Sequence, residues 1–142
     1  EQPAEAAGAA SPSPDREQQG DGAVAQYRAA LELVRDRELE RALPALESFV
    51  REHPEHPYAD NALYWRGEVL YAQRRYRAAL EAFEQLLGAY PEGNKAADAL
   101  LKMALCHKRM GRLRQARALF ERVRREHPDS VAARVASRED NS

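Results

Sequence analysis

Two histidines and a glutamate, His53, Glu55 and His56, lie close together and have side chains that can bind a metal ion. Imidazole and carboxylate groups are ligands that suit zinc. His127, however, stands 74 residues after His53, and each of these two histidines immediately precedes a proline. A histidine near the last carbonyls of a helix interacts favourably with the helix dipole. We therefore interpret the recurring histidine as a helix-end residue and predict no metal site.

No residue of the chain has the neighbours that a catalytic nucleophile requires. None of the six serines stands in a G-x-S-x-G context, and a glycine-rich phosphate loop is absent. Cys106 is the single cysteine and cannot form an internal disulfide. The periodicity described below places Cys106 and His107 inside a helix, where both are predicted to be packed structural residues. The chain is predicted not to be an enzyme and to need no cofactor.

The composition favours helices and argues against several kinds of partner. The chain has 142 residues, 44% hydrophobic and 32% charged, with neither isoleucine nor threonine. Scarce β-branched residues and abundant Ala, Leu, Glu and Arg favour helix over strand. A net charge of −1 gives no long-range attraction to nucleic acid or to an anionic membrane. No run approaches the ~20 apolar residues of a membrane-spanning helix. We expect protein partners, no nucleic acid and no membrane insertion.

From residue 23 onward, the sequence repeats with a period of 37 residues. Three segments end in a proline, at Pro54, Pro91 and Pro128, and an alanine stands twelve residues before each. A bulky apolar residue follows each alanine after four residues and another after three more, so that all lie on one helix face. The nine residues are Ala42, Leu46, Phe49, Ala79, Phe83, Leu86, Ala116, Phe120 and Val123.

A second amphipathic segment precedes each of these helices and carries a small residue, Ala30, Gly67 or Ala104, again at intervals of 37. The tetratricopeptide signature has a small residue in the first helix of each repeat. In the second helix it has an alanine, a bulky residue four positions later, and a proline near the end. The predicted fold class is therefore all-α, a tetratricopeptide-repeat superhelix of three helical hairpins plus a C-terminal capping helix. The helices are expected near 24–36, 39–53, 58–73, 76–90, 95–110 and 113–127, with the capping helix at 130–138.

The first 22 residues differ from the repeats. Apart from prolines, their only apolar side chains are alanines, and they carry five acidic residues against one arginine, a net charge of −4. We predict that 1–22 is a disordered, acidic Ala/Pro/Gly-rich linker. The repeat domain is predicted at 23–142, with repeats at about 23–59, 60–96 and 97–133. Because the chain begins with Glu1 and not with Met, we expect a mature form or fragment whose precursor carries a signal peptide.

The first helices of stacked hairpins line the concave side of the superhelix. Aromatic and arginine side chains, which are enriched in binding hot spots, occur at the positions expected to face this groove, with Tyr27 in the first unit. The alternative for Tyr64 and Trp65 is that they pack against the neighbouring unit. Amide and ammonium groups can hydrogen-bond a peptide backbone or a carboxylate. The predicted partner-binding groove consists of Asn61, Tyr64, Trp65, Glu68, Tyr71, Asp98, Lys102, Leu105 and Arg109.

The third unit is rich in arginine. We interpret these side chains mainly as the solvated outer face of one helix, and contact with an acidic surface of a partner is the next interpretation. The residues are Arg112, Arg114, Arg117, Arg122, Arg124 and Arg125.

Three pieces of the chain are more specific than a generic repeat. They are NALYWRGE with Tyr64, Trp65 and Gly67, the segment 83–91, and GNKAADALLKM at 93–103. Together they resemble the C-terminal domain of the Tol–Pal-associated cell division coordinator family (CpoB/YbgF-type), over about residues 23–136. The resemblance implies a periplasmic repeat domain that binds TolA. It further implies a whole protein with a trimerising N-terminal coiled coil, which couples peptidoglycan synthesis, through a bifunctional synthase, to outer-membrane constriction.

The chain also departs from that family. It contains no coiled coil, and arginines at 74 and 75 stand where the inter-helix turn often has glycine. A second family, the outer-membrane barrel-assembly lipoprotein with tetratricopeptide repeats, has similar YP-type repeat ends. The function predicted is a non-enzymatic, periplasmic protein-binding scaffold for cell-envelope constriction, with a TolA-like partner in the groove, a peptidoglycan synthase as a further partner, and self-association through a missing coiled coil. The alternative is a module of an outer-membrane assembly lipoprotein complex.

Overall fold

A computed structural model of the chain describes residues 14–142, with side chains from residue 22 onward. The described part is entirely helical apart from turns and contains no strand. The all-α prediction is thus confirmed. The helices are α1 (Pro14–Arg35), α2 (Leu39–Glu52), α3 (Ala59–Ala72), α4 (Tyr76–Ala89), α5 (Ala96–Arg109), α6 (Leu113–Glu126) and α7 (Val131–Asp140).

Consecutive helices form three hairpins, α1–α2, α3–α4 and α5–α6, and each second helix also packs against the first helix of the next unit. All nine residues of the repeated second-helix pattern are buried, and none is more than 2% exposed. Burying a large apolar side chain contributes roughly 1.5–3 kcal/mol. The repeated pattern therefore supplies much of the core of every unit.

The small residue of each first helix lies where the two helices of a hairpin cross. A Cβ atom added to Gly67 would lie 2.5 Å from Cζ of Phe83, closer than real carbon atoms approach. The equivalent Ala30 and Ala104 are completely buried. At the crossing of α3 and α4, the helices are therefore too close for any residue other than glycine at position 67.

Each first helix ends in a left-handed residue, which lets the chain reverse into the second helix. Arg37 and Arg74 both have φ of 64°, and Gly111 has φ of 78°. The next N–H donates to a carbonyl five residues back, as from Arg75 to Leu70 at 2.9 Å. This is the Schellman arrangement, in which glycine is favoured because it has no Cβ. Two of the three units nevertheless have arginine at this position.

The capping helix begins after Ser130, whose hydroxyl oxygen accepts a hydrogen bond from the N–H of Ala133 at 3.0 Å. It packs against α5 and α6. Ser137 and Asn141 stand 37 residues after Leu100 and Ala104. Polar residues thus occupy the positions that bind a second helix in the complete units. The helix therefore covers the end of the stack without offering an apolar face for a further helix.

The predicted helix boundaries agree with the structure to within one residue for α2 to α6. The first helix differs, because α1 begins at Pro14 and not near residue 24. Residues 14–22 are therefore helical, although they were expected to belong to the linker. Residues 1–13 of that linker lie outside the described residues.

Shortening Phe83 should test whether the unit-two core holds its neighbours. Because this ring is completely buried, Phe83→Ala should lower the free energy of unfolding by ~3–5 kcal/mol. The loss should reach the adjacent units because stability in repeat proteins depends on neighbours. Urea unfolding measures it, with Leu113→Ala on a 60% exposed side chain as the control. A loss below ~1 kcal/mol would contradict the packing described here.

Two glycine replacements should change stability in opposite directions. Gly111→Ala should destabilise by ~1 kcal/mol because its positive φ is unfavourable for alanine. Gly88→Ala lies within α4, where nothing stands within 4 Å of an added Cβ, and should stabilise by ~0.5–1 kcal/mol. Urea unfolding of both variants checks the signs. A Gly111→Ala protein with the same free energy of unfolding as the wild type would contradict the left-handed turn.

Candidate functional site

Two open cavities lie along the first helices and share Tyr71. The larger, of about 560 Å³, is formed by α3, α5 and α7, and the smaller, of about 270 Å³, by α1, the following turn, α2, α3 and α5. We call the surface that they form the first-helix groove. The larger cavity is lined by Tyr71, Leu105, Lys108, Arg109, Val135 and Glu139. The smaller is lined by Val34, Arg37, Leu39, Trp65, Glu68, Val69, Tyr71, Ala72 and Lys102.

A chain of direct contacts joins α3 to α5 across the groove. The hydroxyl of Tyr64 donates to Glu68 at 3.3 Å, and Glu68 forms an ion pair with Lys102 at 3.0 Å. The Lys102 ammonium group also lies 5.0 Å from the centre of the Tyr71 ring, within range of a cation–π interaction. Arg109 in turn donates to the Tyr71 hydroxyl at 3.1 Å. These contacts hold the first helices of two units together.

Tyr64 and Trp65 both pack against the core, but only Trp65 also lines a cavity. The Tyr64 ring lies 5.7 Å from that of Phe83. Burial, followed by the nearby Glu68 carboxylate, raises the pKa of Tyr64, which keeps its hydroxyl protonated as a donor. Trp65 packs against the apolar cluster of the first unit and lines the smaller cavity. For Trp65 the two interpretations, groove residue and packing residue, are therefore compatible.

Asn61 and Asp98 lie apart from this chain of contacts. The Oδ1 atom of Asn61 is buried and has no hydrogen-bond partner among the described residues. Asp98 is half-buried, and its charge contributes to the raised pKa of Tyr64. Neither residue lines the two cavities. Six of the nine predicted groove residues line a cavity: Trp65, Glu68 and Tyr71 on α3, and Lys102, Leu105 and Arg109 on α5.

The groove extends onto the capping helix, which the sequence prediction did not include. Val135 and Glu139 line the larger cavity and stand 37 residues after Asp98 and Lys102. One more step of the repeat would have identified both. Glu139 accepts from Lys108 through its backbone carbonyl at 2.8 Å and lies 3.5 Å from it through its carboxylate.

Tyr27 is not a groove residue, contrary to the prediction. It is 7% exposed, and its ring lies 5.4 Å from Phe49 and 4.8 Å from Tyr58. Burial raises the pKa of its hydroxyl. The loop residue Tyr58 covers Tyr27 from outside, which the repeat pattern alone does not indicate. In the next unit the equivalent position holds Lys95, whose ammonium group lies 5.0 Å from the ring centre of Tyr64.

The histidines and the cysteine lie in structural positions. His53 and His127 are the C-cap residues that directly follow α2 and α6, and the His53 ring lies within hydrogen-bond distance of Gln26, at 3.1 Å. Within the described residues, no three His, Cys, Asp or Glu side chains are grouped to hold a metal ion. Burial lowers the pKa of His107 and raises that of Cys106 to about 12. The sulfur is thus a thiol at neutral pH and not a nucleophilic thiolate.

The Cys106 thiol should resist modification until the protein unfolds. Ellman's reagent should react slowly with the native protein and at once in guanidinium chloride, since the residue is fully buried. Its pKa of about 12 exceeds the ~8.5 of an exposed thiol. The folded chain therefore binds more protons than the unfolded chain above pH ~8.5, and stability falls as pH rises from there. The free energy of unfolding of the Cys106→Ala variant should fall less steeply between neutral pH and pH ~10 than that of the wild type. An identical decline in both proteins would refute the raised pKa of Cys106.

The comparisons with known proteins place the chain in a class. Two family profiles of tetratricopeptide repeats match, one at residues 27–94 and the other at 70–138. The chain therefore belongs to the tetratricopeptide-repeat proteins. Within the described residues, no helix is long and apolar enough to cross a membrane.

Two curated relatives share part of this region. A segment of 47 residues, 33% of this chain, is 40% identical to the cell division coordinator CpoB of Pseudomonas putida and covers 18% of that protein. A segment of 56 residues, 39% of this chain, is 46% identical to the outer membrane protein assembly factor BamD of Neisseria gonorrhoeae and also covers 18% of it. The matches thus span less than a fifth of either relative.

Solved structures support the fold. The N-terminal domain of stress-induced protein-1 from C. elegans superposes with a TM-score of 0.72 at 14% identity, covering 87% of this chain and 97% of that one. A kinesin light chain protein with TPR-like repeats from Podospora anserina gives a TM-score of 0.66 at 16% identity, covering 83% and 63%. At this identity the similarity concerns the fold alone.

Proposed function

We propose that this chain is a protein-binding scaffold of the bacterial cell envelope, which holds a segment of a TolA-like protein in the first-helix groove during cell division. The observation that supports it is the periodic lining of the groove. Trp65, Lys102 and Glu139 occupy the same repeat position on α3, α5 and α7. An extended partner segment would therefore meet one such side chain in each unit.

The chemistry of the groove suits a protein segment. Apolar walls come from Val34, Leu39 and Val69 in the smaller cavity and from Leu105 and Val135 in the larger. Partner side chains would be desolvated there, beside Trp65, as in the anchoring pockets of protein interfaces. The guanidinium groups of arginines and the hydroxyl group of Tyr71 at the rim provide hydrogen bonds that would fix the direction of the bound segment.

The assignment to envelope division rests on the partial similarity to the cell division coordinator and on the residues around Tyr64 and Trp65 that resemble its family. The periplasm is the compartment that this similarity suggests. TolA, a peptidoglycan synthase and association through a coiled coil come from the same resemblance and remain parts of the proposal.

A second candidate is supported by a match of similar strength. Over 56 residues the chain is 46% identical to an outer membrane protein assembly factor. In that case the same groove would hold a component of an outer-membrane assembly complex. The two candidates differ in the partner and not in the binding surface.

Filling the smaller cavity should test the groove without removing core atoms. Ala72 is exposed and lines that cavity, so Ala72→Trp should block it while the fold is kept. Trp65→Ala removes the aromatic wall instead. Each should weaken binding of a TolA periplasmic domain by at least ~2 kcal/mol, about thirtyfold. Titration calorimetry measures this, with circular dichroism as the check on folding and Val131→Ala, on a 64% exposed side chain, as the control variant.

The same titration distinguishes the two candidates. The wild-type chain should bind the TolA domain and not the periplasmic domains of the barrel-assembly complex. The reverse preference would favour the second candidate. Unchanged affinity in a folded Ala72→Trp protein would rule out the groove for both.

A further inference from the structure

The turns between the first and second helices of the units lie along one edge of the superhelix, and this edge is basic in two units. The five residues 73–77 contain three arginines and no acid, and 110–114 contain two arginines and no acid. The equivalent residues of the first unit, 36–40, contain one arginine and three acids. We call the following residues the basic turn edge: Arg74, Arg75, Arg77, Arg109, Arg112 and Arg114.

These arginines are accessible and form no direct ion pair within the described part of the chain. Five of them are exposed and Arg112 is partly buried. Among the described side chains, none of the six lies within 4.0 Å of a carboxylate oxygen. Elsewhere on the surface the pattern differs, since Arg66 pairs with Glu47 at 2.7 Å and Arg124 with Asp140 at 2.9 Å. Like charges at this density repel one another and are available to an anionic partner.

The turn at Arg74 has an arginine where the turn of the next unit has glycine. The φ of 64° at Arg74 is left-handed, as is the φ of 78° at the equivalent Gly111. A residue with a Cβ in this conformation costs ~1–2 kcal/mol, which glycine avoids. Arg37 in the acidic turn of the first unit has the same φ of 64°, so this conformation belongs to the turn itself and does not single out the basic units. At Arg74 the side chain adds a cation to the edge.

The basic turn edge adjoins the first-helix groove at Tyr71. Arg109 donates to the Tyr71 hydroxyl, and the Tyr71 ring lies 5.2 Å from that of Tyr76 in an edge-on arrangement. Leu113, on the same edge, is a large apolar side chain that is 60% exposed. The edge thus combines cations with one apolar contact, beside an open cavity.

We propose that the basic turn edge of units two and three binds an acidic segment of a protein partner, on a surface that adjoins the groove and shares only Arg109 with it. Arginines form paired hydrogen bonds with carboxylates and hold them with a fixed direction. Electrostatic complementarity of this kind accelerates association and selects among partners.

Two other anionic partners fit the edge less well. Nucleic acid requires an extended basic strip, whereas this one ends at Asp36, Glu38 and Glu40 of the first unit. The Lys102 ammonium group lies over the Tyr71 ring, and Tyr76 contacts that ring in an edge-on arrangement, so Tyr71 is not a free platform for base stacking. A membrane surface requires a broad apolar helix face next to the cations, and the single exposed leucine does not supply it.

Binding of a fluorescein-labelled oligoglutamate peptide, measured by anisotropy at low ionic strength, tests the proposal. The variant Arg74→Gln/Arg75→Gln/Arg112→Gln should bind at least about fivefold more weakly, and the affinity of the wild type should fall with added salt. The matched control is Arg51→Gln/Arg122→Gln/Arg125→Gln, which removes three surface charges from α2 and α6. It should change the affinity less than about twofold. An equal loss of affinity in both variants would mean that the peptide responds only to the net charge of the protein, and this result would overturn the proposal.

Three further results separate the surfaces and the partner classes. Ala72→Trp, which blocks the groove, should leave oligoglutamate binding unchanged, and a loss would place the peptide in the groove and refute a separate edge site. Tighter binding of a single-stranded oligodeoxynucleotide of equal charge, or of phosphatidylglycerol vesicles, would refute an acidic protein segment as the occupant. Absence of peptide binding by the wild type at low ionic strength would refute it as well. The outcome of the TolA titration does not affect any of these results.

Discussion

The contact of Gly67 with the Phe83 ring determines how the central unit is assembled, and the groove depends on it. An added Cβ would lie 2.5 Å from that ring, so only glycine permits this separation of α3 and α4. The rotation of α3 about its axis is thereby restricted. Trp65 stands two residues before this glycine and Glu68 directly after it, and both line the smaller cavity.

Most of the fold could be predicted because the packing is periodic and the helix faces follow from residue size and spacing. The start of α1 could not, since absence of large apolar side chains was taken to exclude order in 14–22. A helix needs no tertiary contact in its first turns once later residues such as Ala23 and Tyr27, both buried, have nucleated it. Pro14 at the first helical position is also compatible with helix initiation.

The groove was harder to predict than the fold, because a repeat position indicates a direction but not what lies next to it. Tyr27 and Tyr64 are equivalent, yet Tyr58 stacks on the first and Lys95 covers the second. Both covering residues come from the loops between units, where the sequence varies in character from one unit to the next. The first ring is therefore buried in the core, while the second remains half-buried beside the groove.

The ion pairs inside the groove limit how a partner can bind there. Glu68 and Lys102, 3.0 Å apart and each about one quarter exposed, would leave a charge without its partner if a ligand separated them, which costs several kcal/mol where water is excluded. A ligand therefore gains most by leaving the pair intact and placing apolar side chains in the cavities on either side. The arginines of the turn edge have no such pairs to lose. If both proposals hold, the groove would select for shape and apolar surface and the edge for charge, and one partner with both features would be held at two chemically different places.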